Sequence, residues 1–503
     1  MTEHYLDRLA RTINENWDQP ALTDFYLTED GSAQDTSRGN HYTYGEMYAE
    51  ILRLGELFAA LGLQKGDHIA ICGANSAHWA ITYLAIAAYQ GIAITILHSQ
   101  SIEDISHQID FSDAQALFTD TELWEELRNQ PLLQVEHVIS LDNWQILRGK
   151  EIKVSYLQSP IYNCQFTHGE FDDLAMICFT SGSTGVSKGV MLSYRSLSNN
   201  ITNLLGKFIT DNNNRYILFH PLSHIGGIFF ELLPQLCRRK NVYIYREILD
   251  THQIIQALNI VCPYMFCAVP KLLSLLVQEN DFKKTDSIKQ IFTGSARIDS
   301  NVEKKLLDLN ASFTNSYGLT EAGQLVALSV VDRYRISSVG EVLDGNKVAI
   351  APNGEILVKG ENVMLGYYKD PEATACKIDS DGWLHTGDKG HLDEDGYLYV
   401  EGRLEQDMIV LPNGENIHPE DIEQKINALP EVKESVVLAR DGKLVALVVP
   451  FSLSSISSMF RAEQLLSLIN PQLPLYSQLS GVEFLDKPLA RTSKQSIKRY
   501  LYK

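Results

Sequence analysis

An unbroken apolar run, LAMICF at residues 174–179, passes without a spacer into a loop of small and hydroxylated residues, FTSGSTGVSKG at 179–189. A short apolar run of that kind reads as a strand buried on both faces, and the change to Gly, Ser and Thr marks where the chain leaves the sheet. Gly182 and Gly185 allow positive φ and leave backbone N–H groups open to an anion. Thr180, Ser181, Ser183 and Thr184 add hydroxyl donors, and Lys188 adds a mobile positive charge. Such a loop at a strand end is a cradle for a polyphosphate. It is not the common nucleotide P-loop, because no Gly-Lys-Ser/Thr follows the glycines at that spacing.

The surroundings of the loop have the rhythm of an α/β protein. Residues 45–61 read as an amphipathic helix, 68–72 as a strand, 101–111 as a helix and 116–118 as a strand. The uncharged stretch 79–97 approaches the length of a membrane span. Thr82, Tyr83, Tyr89, Gln90, Gly91 and Thr95 interrupt it, however, and Gln90-Gly91 reads as a helix stop. The expectation is therefore a buried helix followed by a buried strand. Past residue 350 hairpins take over, with a two-residue turn at Asp395-Gly396. Beyond Gly402 a compact α+β unit is expected. Pro419, Glu420, Asp421 and Glu423 suit the start of a helix, Ile422, Ile426 and Leu429 form its apolar stripe, and two strands pair across Asp441-Gly442.

With 503 residues the chain is too long for a single core. A formal net charge of −20 argues against nucleic acid and against a polybasic membrane anchor, so any phosphate site must be locally positive. Seven scattered cysteines, without a CxxC pair, suggest neither a disulfide framework nor a zinc site, and a reducing compartment is expected. The charged N-terminus lacks the apolar centre of a signal peptide, and a cytoplasmic location is expected.

Six further motifs follow the loop. They are PLSHIGG (221–227), TGSAR (293–297), NSYGLTE (315–321), GEILVKGENVMLGYY (354–368), GWLHTGDKGHLDEDGYLYVEGR (382–403) and NGENIHPEDIE (413–423). In kind and order this set resembles the AMP-forming acyl-adenylating enzymes, the group of acyl-CoA synthetases, luciferases and peptide-synthetase adenylation domains. The resemblance runs from about residue 20 to the C-terminus and is closest to the fatty acyl-CoA synthetases. It implies an α/β fold: a large N-terminal domain (1–403) of layered α/β subdomains plus a distorted β-barrel, and a small mobile α+β domain (404–503).

The implied reaction joins a carboxylic acid, medium- or long-chain fatty by this resemblance, to ATP as an acyl-adenylate, then passes the acyl group to coenzyme A. Thr180 to Lys188 would hold the β- and γ-phosphates, Glu321 would ligate Mg²⁺, and Thr320 would sit on phosphate. Tyr317, flanked by Ser316 and Gly318, would stack on adenine, with Gly294, Ser295 and Ala296 along its other side. Asp388 and Arg403 would bind the ribose, His224 would border the substrate carboxylate, and Gly414 would lie against the thiol's tunnel. The segments 228–230 and 264–270 would contribute to the acyl pocket. The small domain would turn on a hinge at Glu405 or Gln406.

Three positions depart from the family pattern. Ser187 replaces the proline usual before the loop lysine, and Ser193-Tyr194 replaces the usual Thr-His. At the C-terminus, RTSKQSIKR carries Ser496 where the catalytic lysine commonly stands, and Lys494, two residues earlier, takes the role in a displaced pattern. Two alternatives accompany the fatty acyl reading: an aryl-CoA ligase or an acyl-AMP ligase serving a carrier protein, and an ATP-binding pseudoenzyme.

Overall fold

The computed structural model describes residues 2–28, 31–35, 38–132, 134–150, 152, 163–180, 187–208, 212–246, 250–283, 286–309, 311–329, 331–404, 409–410, 416–417, 419–440, 443–451, 462–473, 477–491, 497 and 499–502. They divide into two compact units between Gly402 and Arg403, one residue before the expected boundary.

In the first unit an eight-stranded sheet carries the phosphate-loop strand. Leu174–Thr180 runs parallel to Ile92–Ile96, which runs parallel to His68–Cys72, and Ala116–Thr119 and His137–Ser140 continue the parallel series. On its other side Leu174–Thr180 forms a hairpin with Lys188–Ser193, and Gly366–Tyr367 adds an antiparallel edge. Four of the five Ile92–Ile96 side chains are aliphatic and all five residues are buried, as expected for a central strand covered on both faces.

The uncharged stretch 79–97 resolves into helix Ala77–Ala88, capped by the Ser76 side chain, and strand Ile92–Ile96. Every residue from Ala77 to Ala87 is buried, and Gln90 makes the break with φ 62°. Burying each Ile or Leu of this helix contributes roughly 1.5–3 kcal/mol, so an all-apolar helix at the centre of an α/β layer accounts for the composition. Among the described residues no helix is long and apolar enough to cross a membrane. Helix Tyr44–Leu61 begins at a capping box between Thr43 and Glu46 and ends at Gly62 in the left-handed region, φ 83°.

A nine-stranded sheet holds the later motifs. At one end Met265–Cys267, Gln290–Thr293 and Ser312–Tyr317 are parallel; from there to Asn346–Ile350 the neighbours become antiparallel. A four-stranded sheet containing Pro20–Phe25 and Asn241–Tyr245 completes the unit. The hairpin at 395–396 differs from expectation. Its turn takes four residues, because the Asp393 carboxylate accepts the N–H groups of both Asp395 and Tyr397, while Gly396 takes φ 84°.

The second unit pairs Val432–Arg440 with Lys443–Pro450 and adds Gly481–Phe484 in parallel. Helix Pro419–Asn427 buries Ile422 and Ile426 against this sheet's core, with Leu429 packed alongside. Residues 441–442 lie outside the described residues.

Candidate active site

The hairpin that brackets the phosphate loop places its two ends opposite each other. Thr180 pairs with Lys188 in register, and the Thr180 hydroxyl donates to the Lys188 carbonyl at 3.5 Å. Ser181, Gly182, Ser183, Thr184 and Gly185, expected to line the cradle, lie outside the described residues, as do Gly414, Lys494, Ser496 and the two hinge candidates.

Lys188 faces the edge strand. Its Nζ lies 4.9 Å from the centre of the Tyr367 ring and 3.7 Å from an Asp370 carboxylate oxygen. The Tyr367 hydroxyl donates to Glu321 Oε1 at 3.0 Å. One tyrosine thus links the loop lysine to the expected metal ligand. The other Glu321 oxygen has no hydrogen-bond donor among the described residues, which suits a carboxylate that holds a divalent cation through one oxygen. Thr320, Glu321 and Ala322 form a 3₁₀ turn with Thr320 buried, and the Glu321 carbonyl accepts Met364 N–H at 2.9 Å.

Two parallel strands deliver the expected nucleotide residues. Gln290–Thr293 ends at Gly294-Ser295-Ala296, and Ser312–Tyr317 ends at Gly318. Ends of parallel strands form the crevice where α/β proteins bind ligands. Ser316 is buried and donates to the Thr293 carbonyl at 2.8 Å, tying the strands together. A Cβ at Gly294 would stand 2.3 Å from Ser316 Oγ, so only glycine fits there. Ser295 and Gln324 hold positive φ, 68° and 95°; strain of this kind gathers at functional sites.

Asp388, in strand Leu384–Leu392, is buried and accepts the Tyr317 hydroxyl at 2.7 Å. Its N–H donates to Thr386 Oγ1, and the Thr386 hydroxyl donates to the Ile356 carbonyl at 2.6 Å. Tyr317 and Asp388, 71 positions apart, are therefore one hydrogen-bonded pair. Arg403 ends strand Tyr397–Arg403, is exposed, and belongs to the second unit.

His224 sits in a tight turn. Its Nδ1 accepts Gly226 N–H at 3.1 Å, and its carbonyl accepts Gly227 N–H at 2.9 Å. A Cβ at Gly226 would lie 3.2 Å from both His224 Nδ1 and Gln324 Nε2, so the PLSHIGG turn packs directly on the turn after Glu321. Ile228, Phe229 and Phe230 are buried in a π-helical turn, Gly227–Leu232, and Phe230 meets Phe292 edge-on at 5.6 Å.

Several residues at this site are not among the expected ones, although Tyr367 and Asn362 stand within the motif at 354–368. Tyr367 and Asp370 approach Lys188, and Gln324 borders His224. Behind them is a buried asparagine network. Asn200 donates to the Gly323 carbonyl, Asn362 to the Leu325 carbonyl at 2.6 Å, and Asn199 to Asn362 Oδ1 at 2.8 Å. These amides satisfy the carbonyls of the turn that carries Thr320 and Glu321.

The model of the AMP-binding enzyme family matches residues 9–368, and that of the AMP-binding enzyme C-terminal domain matches 406–502. The chain is 28% identical over 472 residues to a feruloyl-CoA synthase of Amycolatopsis sp, covering 89% of this chain and 91% of that protein. It is 25% identical over 492 residues to 4-coumarate–CoA ligase 3 of Oryza sativa subsp. japonica, covering 90% and 85%. In fold it is similar to the o-succinylbenzoate coenzyme A synthetase of Bacillus subtilis in complex with ATP and magnesium ion. That likeness has TM-score 0.80 and 23% identity, and it covers 98% of each chain.

Proposed function

The chain belongs to the AMP-binding enzyme family, as an acid–thiol ligase that uses ATP, Mg²⁺ and coenzyme A, and from that membership we propose that its acid is aromatic. The observation that carries the catalytic reading is the convergence of Lys188, Tyr367 and Glu321 beside the pair Tyr317–Asp388, at the ends of parallel strands. An aromatic rather than alkyl acid is supported by the named acids of the two ligase relatives. A medium- or long-chain fatty acid is the second reading. It rests on the motifs PLSHIGG and NGENIHPEDIE.

In the first half-reaction a carboxylate oxygen attacks the α-phosphorus, the bond to pyrophosphate breaks, and an acyl-adenylate forms. Lys188 and the 180–188 hairpin hold the departing phosphates, where fixed positive charge and donors lower the barrier. Glu321 is the residue that would hold Mg²⁺, which would supply charge neutralisation to the phosphates. Tyr317 would stack on adenine opposite Gly294–Ala296, Asp388 would accept the ribose hydroxyls, and His224 and Gln324 would border the acid. The family resemblance would assign Arg403 to the ribose and Lys494 to the reacting oxygens. In the second half-reaction the thiol sulfur attacks the acyl carbon and AMP leaves. By the family resemblance, residues 404–503 would turn about Glu405 or Gln406 between the two steps and bring Gly414 to the thiol's tunnel.

Pyrophosphate release from ATP–Mg²⁺ tests this across 4-coumarate, ferulate, benzoate and a fatty series from acetate to palmitate, with and without coenzyme A. The expected result is fastest release with an arylalkenoic acid, acyl-CoA formed without any carrier protein, and loss of release in Lys494→Ala. Faster release with decanoate or palmitate would overturn the aromatic assignment. No release with any acid would overturn the ligase reading.

A further inference from the structure

Beside the His224 turn lies a group of side chains to which the reaction just described assigns no step, although Cys267 falls in the 264–270 segment expected to contribute to the acyl pocket. His220 Nδ1 is hydrogen-bonded to the Glu231 carboxylate, whose second oxygen accepts the Tyr216 hydroxyl at 2.7 Å. One nitrogen of His220, one oxygen of Glu231 and the Cys267 sulfur all lie within 4.8 Å of one another. They come from three separate elements: the segment after strand Arg215–Leu218, the π-helical turn Gly227–Leu232, and the end of strand Met265–Cys267.

Glu231 is 1% exposed and Cys267 is 7% exposed. A carboxylate so deeply buried needs a cationic or strongly donating partner. His220 and Tyr216 supply one each, and a hydrogen-bonded acid–base pair would need nothing more. The thiol does not fit that simpler account, because it makes no hydrogen bond among the described residues and yet turns its sulfur toward the pair. Imidazole nitrogen, carboxylate oxygen and thiolate sulfur together are the donors of a tetrahedral, borderline-soft cation, whereas a hard cation such as Mg²⁺ prefers oxygen alone.

Three features of the surroundings favour a site over a chance cluster. The Tyr216 hydroxyl orients the carboxylate, as the outer partners of metal ligands do. Glu231 lies in a π-helical turn, a distortion found frequently at functional positions. His220 keeps 27% of its side-chain surface accessible, so the group is not sealed from solvent.

We propose that His220, Glu231 and Cys267 bind one divalent cation of the Zn²⁺ class, clamping the turn before His224 to the π-helical turn and to the neighbouring sheet.

The test uses the full chain, stripped with chelator and titrated with Zn²⁺ against a competing indicator; Co²⁺ then serves as a spectroscopic probe. One tight equivalent is expected, together with a thiolate-to-cobalt absorption band. Cys267→Ser should weaken Zn²⁺ about a hundredfold or more and abolish the band, and Tyr216→Phe should weaken it about tenfold. Cys376→Ser, at an exposed cysteine, should change nothing. Circular dichroism verifies folding, and Tyr216→Phe keeps the test alive if Cys267→Ser does not fold. Absence of a tight equivalent in the wild-type chain would overturn the proposal. So would an equivalent that survives Cys267→Ser or disappears with Cys376→Ser.

Discussion

Gly318 joins the strand that carries Tyr317 to the turn that carries Thr320 and Glu321, and a methyl group there has no room. A Cβ at Gly318 would stand 1.7 Å from the Gln324 carbonyl oxygen, 2.5 Å from its carbon and 2.9 Å from Leu325 Cα. All three are backbone atoms, so no side chain can swing aside. The turn is held by Gln324 N–H to Leu319 O at 3.0 Å and by Val326 N–H to Tyr317 O at 2.9 Å. Opening it enough to admit a methyl breaks both. Overpacking at about 1–3 kcal/mol and two backbone hydrogen bonds at about 1 kcal/mol each give roughly 3–5 kcal/mol for Gly318→Ala. In a unit this large the loss corresponds to a fall in melting temperature of about 4–6 °C. Thr320 and Glu321 move with the turn, and a misplacement near 1 Å costs pyrophosphate release about a hundredfold. The control is the same substitution at Gly55, inside helix Tyr44–Leu61, where the nearest atom to a Cβ is Tyr89 Cδ2 at 3.9 Å. Gly55→Ala should stabilise by about 0.5–1 kcal/mol through helix propensity alone. Thermal unfolding by circular dichroism and a pyrophosphate assay read both variants. A Gly318→Ala protein that melts with the wild type and keeps its rate would refute the packing argument.

Tyr317→Phe keeps the ring but removes the hydroxyl from buried Asp388, a charge-assisted bond of about 1.5–3 kcal/mol; the KM for ATP should rise about tenfold, and further in Tyr317→Ala. An unchanged KM in both variants would count against the pair as the nucleoside site. Glu321→Gln still accepts the Tyr367 hydroxyl but loses its charge, so half-maximal pyrophosphate release should need about ten times more Mg²⁺ or beyond. An unaltered Mg²⁺ dependence would exclude Glu321 as the ligand. His4, the N-cap of helix Tyr5–Glu15, has its pKa pushed from 6.5 down to about 3, by burial first and by neighbouring His168 second. The folded value lies below the unfolded one, so this group's stability is intact above pH 6.5 and is lost as pH falls from there toward 3. His4→Asn keeps a capping acceptor without the titration and should lose less stability between pH 7 and pH 4 in urea unfolding; an equal loss would refute the assignment.

The elements legible from sequence were those whose own residues decide them. The strand Ile92–Ile96 and the helix before it announce their burial by lacking charge, and Gln90-Gly91 separates them. The turn at 393–396 was misjudged in length because its geometry depends on a side chain two residues before the Asp-Gly signal. The same distinction runs through the site. Lys188, Glu321, Tyr317 and Asp388, the expected site residues, stand in local motifs that the sequence displays. Their mutual arrangement does not show, because Tyr367 reaches Glu321 across 46 positions and Tyr317 reaches Asp388 across 71.

The asparagines of helix Tyr194–Leu205 carry the argument one step further. Asn199, Asn200 and Asn203 look like the solvated face of a surface helix, yet all three are buried, as is Asn362. Their partners are largely main-chain carbonyls, those of Gly323, Leu325 and Asp344, in loops that cannot pair their own carbonyls. A buried carbonyl without a donor costs about 1–3 kcal/mol. The turn that holds Thr320 and Glu321 can therefore stay irregular only where another element brings donors to it. Side-chain amides meet that need whichever way the loop bends, and they leave no periodic trace. The rigidity of the glutamate turn is encoded more than a hundred residues before it, in the helix that begins right after the hairpin of the phosphate loop.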